Sequence, residues 1–154
     1  MKIGIISAMD SEHRQLADRL SQKKESGEGR FRYVEGLLGR NDVVLTQCGI
    51  GKVNAAVGAA ELIRRYRPDC IVSTGVAGGI DACLRVGDVV ASDRLVYHDV
   101  YCGNDGTRYG QVQGMPLYYE ASPQLLRHAL ELNDGAGLES RIHGGLICTG
   151  DRFV

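Results

Sequence analysis

Apolar positions along this chain fall into short blocks separated by polar and glycine-rich punctuation. Residues 2–6 form a continuous apolar run, the pattern of a strand buried on both faces. Asp10 can N-cap a helix over 11–22, in which Leu16, Ala17 and Leu20 share one side. The polar stretch from Ser21 to Arg30 reads as a surface connection. Strands over 31–37 and 42–48 follow, split by Gly39-Arg40-Asn41-Asp42 as a hairpin turn. The next helix, 52–66, carries Ala55, Ala56, Gly58, Ala59 and Ala60 as a narrow side for close packing on a sheet, and Pro68 ends it. Residues 70–74 predict another buried strand, completing a strand–helix–strand unit with a right-handed crossover. Gly87-Asp88 opens a β segment running to His98, and an irregular stretch rich in Gly and Tyr covers 99–120. A helix over 123–132 and a strand over 144–149 complete the pattern. The elements predict an α/β fold in three layers, α/β/α, about a mixed, mostly parallel central sheet, in a single domain spanning 1–154.

Composition narrows the class. A chain of 154 residues can bury a sizeable core. Glycine is the outlier, 21 residues against a usual share of about 7%, set where backbone must turn or approach a ligand. The net charge is −1 and no basic block is longer than Arg64-Arg65, which argues against nucleic acid and a polybasic membrane grip. No apolar run reaches the roughly 18–20 residues of a membrane span. Asp10 to Arg14 interrupts the N-terminal apolar run too early for a signal peptide, so the cytoplasm is the expected location. Cys48, Cys70, Cys83, Cys102 and Cys148 are odd in number and form no C-x-x-C pair; they read as structural thiols. The histidines are equally scattered, and no metal site is expected.

Ligands of open α/β sheets bind beyond the C-terminal ends of the strands. Four segments fall at such ends: Ser7 to Glu12, Gly49 to Lys52, Gly75 to Gly79, and Thr149 to Val154. Gly49-Ile50-Gly51-Lys52 lacks the spacing of a phosphate loop, and Asn54 spoils G-x-G-x-x-G; a tight turn and a ligand contact both remain open there. The small residues after the strand at 70–74 favour ligand contact with the main chain. On position alone, Glu12 is a first-turn carboxylate that complements a helix dipole, and His13 reads as solvated. Asp99, after Tyr97-His98, is either an acid or a turn residue at a loop entry. Phe153 is either core or a stacking platform for a planar base.

Together these segments resemble the methylthioadenosine/S-adenosylhomocysteine nucleosidases of the purine nucleoside phosphorylase-like superfamily. The resemblance rests on Met-Lys-Ile-Gly-Ile-Ile-Ser-Ala-Met-Asp-Ser-Glu ending at Glu12, and on Cys-Gly-Ile-Gly-Lys-Val-Asn-Ala-Ala from Cys48. It continues through Pro68 to Gly79, Val86 to Asp93, Tyr97-His98-Asp99, Tyr109-Gly110-Gln111 and Thr149 to Val154, in register along the chain. It implies that Glu12 is the acid/base that activates water. It also implies that Ala77 and Gly78 border ribose and base, that Met9 and Ile50 line the pocket, that Phe153 stacks on the purine and that the Val154 main chain reads adenine. Where related phosphorylases carry phosphate contacts, this chain has the acidic stretch Ala8-Met9-Asp10-Ser11-Glu12, so phosphate is repelled and water is the expected nucleophile. The chemistry calls for no organic cofactor or metal; the expected partners are a small nucleoside and a second copy of the chain.

The resemblance covers the N-terminal two-thirds of the family's usual length. The glutamate that grips the ribose hydroxyls and the aspartate that protonates the purine match no residue here. A polypeptide ending at Val154 is therefore expected to be inactive and poorly folded, with an unpaired sheet edge. Family members line the alkylthio pocket with apolar residues from a loop of the partner subunit; here that loop, 102–113, carries Cys102, Asp105 and Gln113, which leaves the preference among 5′-substituted adenosines open. Two rival readings stand beside this one. They are a nucleoside phosphorylase or futalosine-type nucleosidase, and a non-catalytic nucleoside-binding module.

Overall fold

A computed structural model of the chain describes residues 1–103, 106–135, 137 and 140–152. The chain divides into two compact units, Met1–Ala77 and Gly78–Val154.

The first unit contains β1 (Lys2–Ser7), α1 (Asp10–Ala17), β2 (Ser21–Glu28), β3 (Phe31–Leu38), β4 (Asn41–Gln47), α2 (Lys52–Tyr66) and β5 (Cys70–Ser73). Its strands form one sheet in the order β2-β3-β4-β1-β5. β4, β1 and β5 run parallel, while β2, β3 and β4 form an antiparallel meander. The apolar runs of β1 and β4 are continuous because both faces of the sheet are covered. Ile5, Val43 and Leu45 pack with Leu20 and with Leu16 and Ala17 of α1. Ile6, Val44 and Tyr33 pack with Leu62, Ala59 and Tyr66 of α2. Leu45 and Leu62 lose all solvent exposure, and each such side chain contributes about 1.5–3 kcal/mol. This unit therefore has the expected three layers. Only part of the expected small-residue side of α2 packs on the sheet: Gly58 is buried, where a Cβ would lie 2.6 Å from Cys48 Cβ, and Ala59 joins the core, while Ala55, Ala56 and Ala60 are exposed.

Two expectations for this unit change. Ser21 to Arg30 is no surface connection; most of it is β2, paired antiparallel with β3. β2 is an edge strand exposed along nearly its whole length, with an irregularity between Ser21 and Lys24, so no apolar alternation marks it. Its lysines suit an edge that must not recruit further strands. α1 is also shorter than 11–22. It ends at Ala17, and Leu20 reaches the core from the following turn before the chain enters β2. Asp10 is not the N-cap but the first helical residue, paired with Arg14 at 2.8 Å; Met9 occupies the cap position.

The second unit contains β6 (Val89–Tyr97), β7 (Tyr119–Glu120), α3 (Pro123–Glu131), a 3-10 turn at Leu132–Asp134 and β8 (Ile142–Thr149). The strand order is β7-β6-β8, with β6 and β8 parallel and β7 antiparallel to β6. Ser122 caps α3 by accepting from Leu125 N, and Leu126 and Leu130 lie beside Gly144 of β8. Asp88 ties the starts of β6 and β8 together by accepting from the N–H groups of Arg85 and Arg141. Within the irregular stretch, Gln111 braces the chain, accepting from Arg108 N and donating to Met115 O. Among the described strands, three pairs are parallel and three antiparallel, so the expected parallel majority gives way to an even mixture once β2 is counted as a strand. No helix among the described residues is long and apolar enough to cross a membrane.

Candidate active site

The parallel strands β4, β1 and β5 end side by side. Cys48 N donates to Ser7 O at 2.9 Å and Thr74 N donates to Ile6 O at 3.0 Å. Two of the segments singled out in the sequence, Ser7 to Glu12 and Gly49 to Lys52, and the first part of a third, Gly75 to Ala77 out of Gly75 to Gly79, therefore leave the same end of the first unit's sheet.

Glu12 stands in the first turn of α1 and its carboxylate turns back on the loop that precedes it. Oε2 accepts from Met9 N at 2.9 Å and Ala8 N at 3.1 Å; Oε1 accepts from Val76 N at 3.0 Å. Gly75 makes room for this. A Cβ there would lie 2.6 Å from Glu12 Oε1. Burial pushes the Glu12 carboxyl up, but the N–H groups of Val76, Met9 and Ala8 outweigh it and hold the pKa below the ordinary 4.5. The group is thus an ionised carboxylate at neutral pH, with main-chain donors converging on it from two segments. The neighbouring Cys48 thiol is pushed up by burial, with the negative charge of Glu12 adding to the effect, so it stays protonated.

The loop after β4 is built as tightly. Gly51 takes φ 102° at the N-cap of α2, a conformation that favours glycine. Asn54 closes the loop by donating from Nδ2 to Ile50 O at 2.6 Å while its Oδ1 accepts from Arg30. The asparagine that spoils the dinucleotide fingerprint is therefore the loop's own brace. Its signal lies in its position one turn into a helix behind a glycine pair. Arg30, at the β2–β3 turn, carried no such signal.

Of the expected site residues in this unit, Met9 supplies a main-chain donor to Glu12, Ile50 is 55% exposed, and Ala77 follows Val76 at the exposed end of the segment. In the second unit, Gly78 is exposed and a Cβ there would meet nothing within 4 Å. Phe153 and Val154 lie outside the described residues. Asp99 proves to be a main-chain acceptor, taking the N–H of Asp151 at 2.7 Å. His13 departs from its solvated reading: Nδ1 is buried with no hydrogen-bond partner among the described residues, and burial lowers its pKa against the opposing charge of Asp10. All five cysteines are free; Cys83 and Cys148 are exposed, unlike the core thiols expected. A cleft of about 440 Å³ lined by Ile5, Leu16, Arg19, Leu20 and neighbours lies where α1 stops short, and Glu12 does not line it.

Comparison with known proteins places the chain in a family. The model of the Phosphorylase superfamily matches residues 2–154. The chain is 41% identical to the 5′-methylthioadenosine/S-adenosylhomocysteine nucleosidase of Exiguobacterium sp., over 100% of this chain and 66% of that protein. Among solved structures, it is similar to the nucleosidase of that name from Neisseria meningitidis in complex with methylthio-immucillin-A, with a TM-score of 0.92 and 37% identity over 99% of this chain and 66% of the other. The corresponding protein from Colwellia psychrerythraea 34H, in complex with adenine, gives a TM-score of 0.93 and 39% identity over 99% and 63%. The chain thus spans slightly less than two-thirds of the length of these relatives. With the superfamily model matched from residue 2 to residue 154, the chain belongs to the phosphorylase superfamily.

Proposed function

We propose that this chain supplies the nucleoside-binding part of an enzyme that hydrolyses the N-glycosidic bond of 5′-methylthioadenosine and S-adenosylhomocysteine, releasing adenine. The observation that carries the reading is the seat of Glu12. Main-chain N–H groups at a helix start ordinarily make an anion site that suits phosphate. Here the N–H groups of Ala8, Met9 and Val76 are taken by the Glu12 carboxylate. A phosphate approaching this seat meets a fixed negative charge and finds the donors engaged, whereas a neutral water is not repelled.

The reaction then runs by charge complementarity. The glycosidic C–N bond breaks with its electron pair leaving on the purine, and positive charge builds on the ribose ring, as in other glycoside cleavages. The ionised Glu12 stabilises that charge. Water adds to the anomeric carbon and its proton passes to Glu12, while the purine leaves after taking a proton from an acid that no residue of this chain is assigned to supply. Met9, Ile50, Ala77 and Gly78 are proposed to border the nucleoside, Phe153 to stack on the base and the Val154 main chain to read adenine. The relatives bound to adenine and to methylthio-immucillin-A support a small nucleoside as substrate. A cytoplasmic homodimer is proposed with it.

The test is adenine release from methylthioadenosine by the polypeptide carrying this chain, in buffers with and without phosphate. Equal release in both is expected. Release that depends strictly on phosphate identifies a phosphorylase instead, and binding without release identifies a non-catalytic module.

A further inference from the structure

Asp99 belongs to the motif Tyr97-His98-Asp99, and the chemistry above gives it no role. Its surroundings do. β6 and β8 run parallel with Tyr97 opposite Thr149, and the pairing extends one step further through His98 N donating to Thr149 O at 3.0 Å. There the two chains would part, but the Asp99 carboxylate keeps them joined by accepting the N–H of Asp151 at 2.7 Å. Gly150, between these contacts, has no room for a side chain: a Cβ would lie 2.7 Å from both Asp99 Cγ and His98 Nε2. The chain past β8 is therefore held at Thr149 by the main chain of His98 and at Asp151 by a charge-assisted hydrogen bond, with Gly150 between the two.

We infer that Asp99 is a positioning residue for base recognition, which it serves by fixing the start of the segment that continues to Phe153 and Val154. The inference rests on the proposed nucleosidase reading, in which those two residues meet the purine. Asp99 needs only an acceptor oxygen for this task, not a proton to give.

That distinction sets the test. Asp99→Ala removes the acceptor, whereas Asp99→Asn keeps an oxygen that the Asp151 N–H can still reach. In adenine-release kinetics with methylthioadenosine, Asp99→Ala is expected to raise KM about tenfold or more, the loss of one hydrogen bond to a charged group, with kcat within about threefold. Asp99→Asn is expected to recover most of that KM, and Gly150→Ala to raise KM as Asp99→Ala does. A kcat that collapses equally in Asp99→Ala and Asp99→Asn overturns the inference and makes Asp99 a proton donor; unchanged kinetics in both overturn it as well. Amide exchange at Asp151 reads the anchor without turnover. Protection in the wild type and Asp99→Asn that is lost in Asp99→Ala supports the anchor even where the wild type releases no adenine, in which case the nucleosidase reading alone has failed. Exchange that is the same in all three overturns it.

Discussion

Val76, 64 residues beyond Glu12 in the chain, donates its main-chain N–H to Glu12 Oε1 at 3.0 Å. This bond joins the loop after β5 to the first turn of α1. Together with the Ala8 and Met9 donors it holds the carboxylate ionised and fixed in direction. Such preorganisation is what an electrostatic role in a cationic transition state requires.

Glu12→Gln tests that role directly. The amide keeps the shape but carries no charge and takes no proton from water. The expected outcome in steady-state kinetics is a fall in kcat of about 10²–10⁴-fold with little change in KM. Wild-type kcat in this variant would remove Glu12 from the chemistry.

Glu12→Ala vacates the seat while leaving the donors of Ala8, Met9 and Val76 in place. Formate, a small carboxylate, is expected to bind there and raise the residual rate about tenfold with saturation, whereas chloride at equal ionic strength does not. A rate indifferent to formate would mean that the donors do not form a seat without Glu12.

Gly75→Ala is expected to displace the carboxylate without touching the reaction itself, because the new methyl would lie 2.6 Å from Oε1. Overpacking of this kind costs about 1–3 kcal/mol, visible as a lowered Tm, and kcat should fall along with it. A Tm and kcat both equal to wild type would show that the Glu12–Val76 contact is not maintained in solution.

Much of this unit can be read from the sequence, and the exceptions have physical causes. The strands β1 and β4 announce themselves because a parallel sheet covered on both faces needs unbroken apolar runs such as Val43-Val44-Leu45. The extent of α2 is equally plain, with Pro68 marking its end, but its packing face is set by Gly58, Ala59 and Leu62, while Ala55, Ala56 and Ala60 are exposed. β2 is hidden because an exposed edge strand has no face to bury. The site is harder. Glu12 stands out only through the family resemblance of its surroundings, because a first-turn glutamate is ordinary. Its partner at Val76 cannot be read at all, since a main-chain N–H is the same in every residue but proline and only the fold brings this one near. Asp99 is ambiguous in sequence for a related reason: the group it holds is another main-chain N–H.

Acid should weaken the fold in two steps. His13 is lowered below its ordinary 6.5 by burial, so the unfolded chain takes up a proton that the folded chain resists. The stability this favours is complete above 6.5 and is lost as pH falls toward the folded value. Glu12 lies below its ordinary 4.5, so its contribution is complete above 4.5 and is lost as pH falls through its lower folded value. Thermal unfolding between about pH 8 and pH 3 should therefore show Tm declining first below 6.5 and again below 4.5. His13→Gln should remove the first decline alone; a Tm that rises from neutral pH into mild acid contradicts the His13 assignment, and a Tm that does not fall below 4.5 contradicts that of Glu12.

The central claim is that water, not phosphate, attacks the ribose beside a carboxylate already seated on main-chain donors. Turnover of methylthioadenosine in heavy-oxygen water containing phosphate decides it, read by mass spectrometry of the sugar product. The account predicts 5-methylthioribose carrying one heavy oxygen at the anomeric carbon, together with free adenine. An unlabelled sugar 1-phosphate would contradict it.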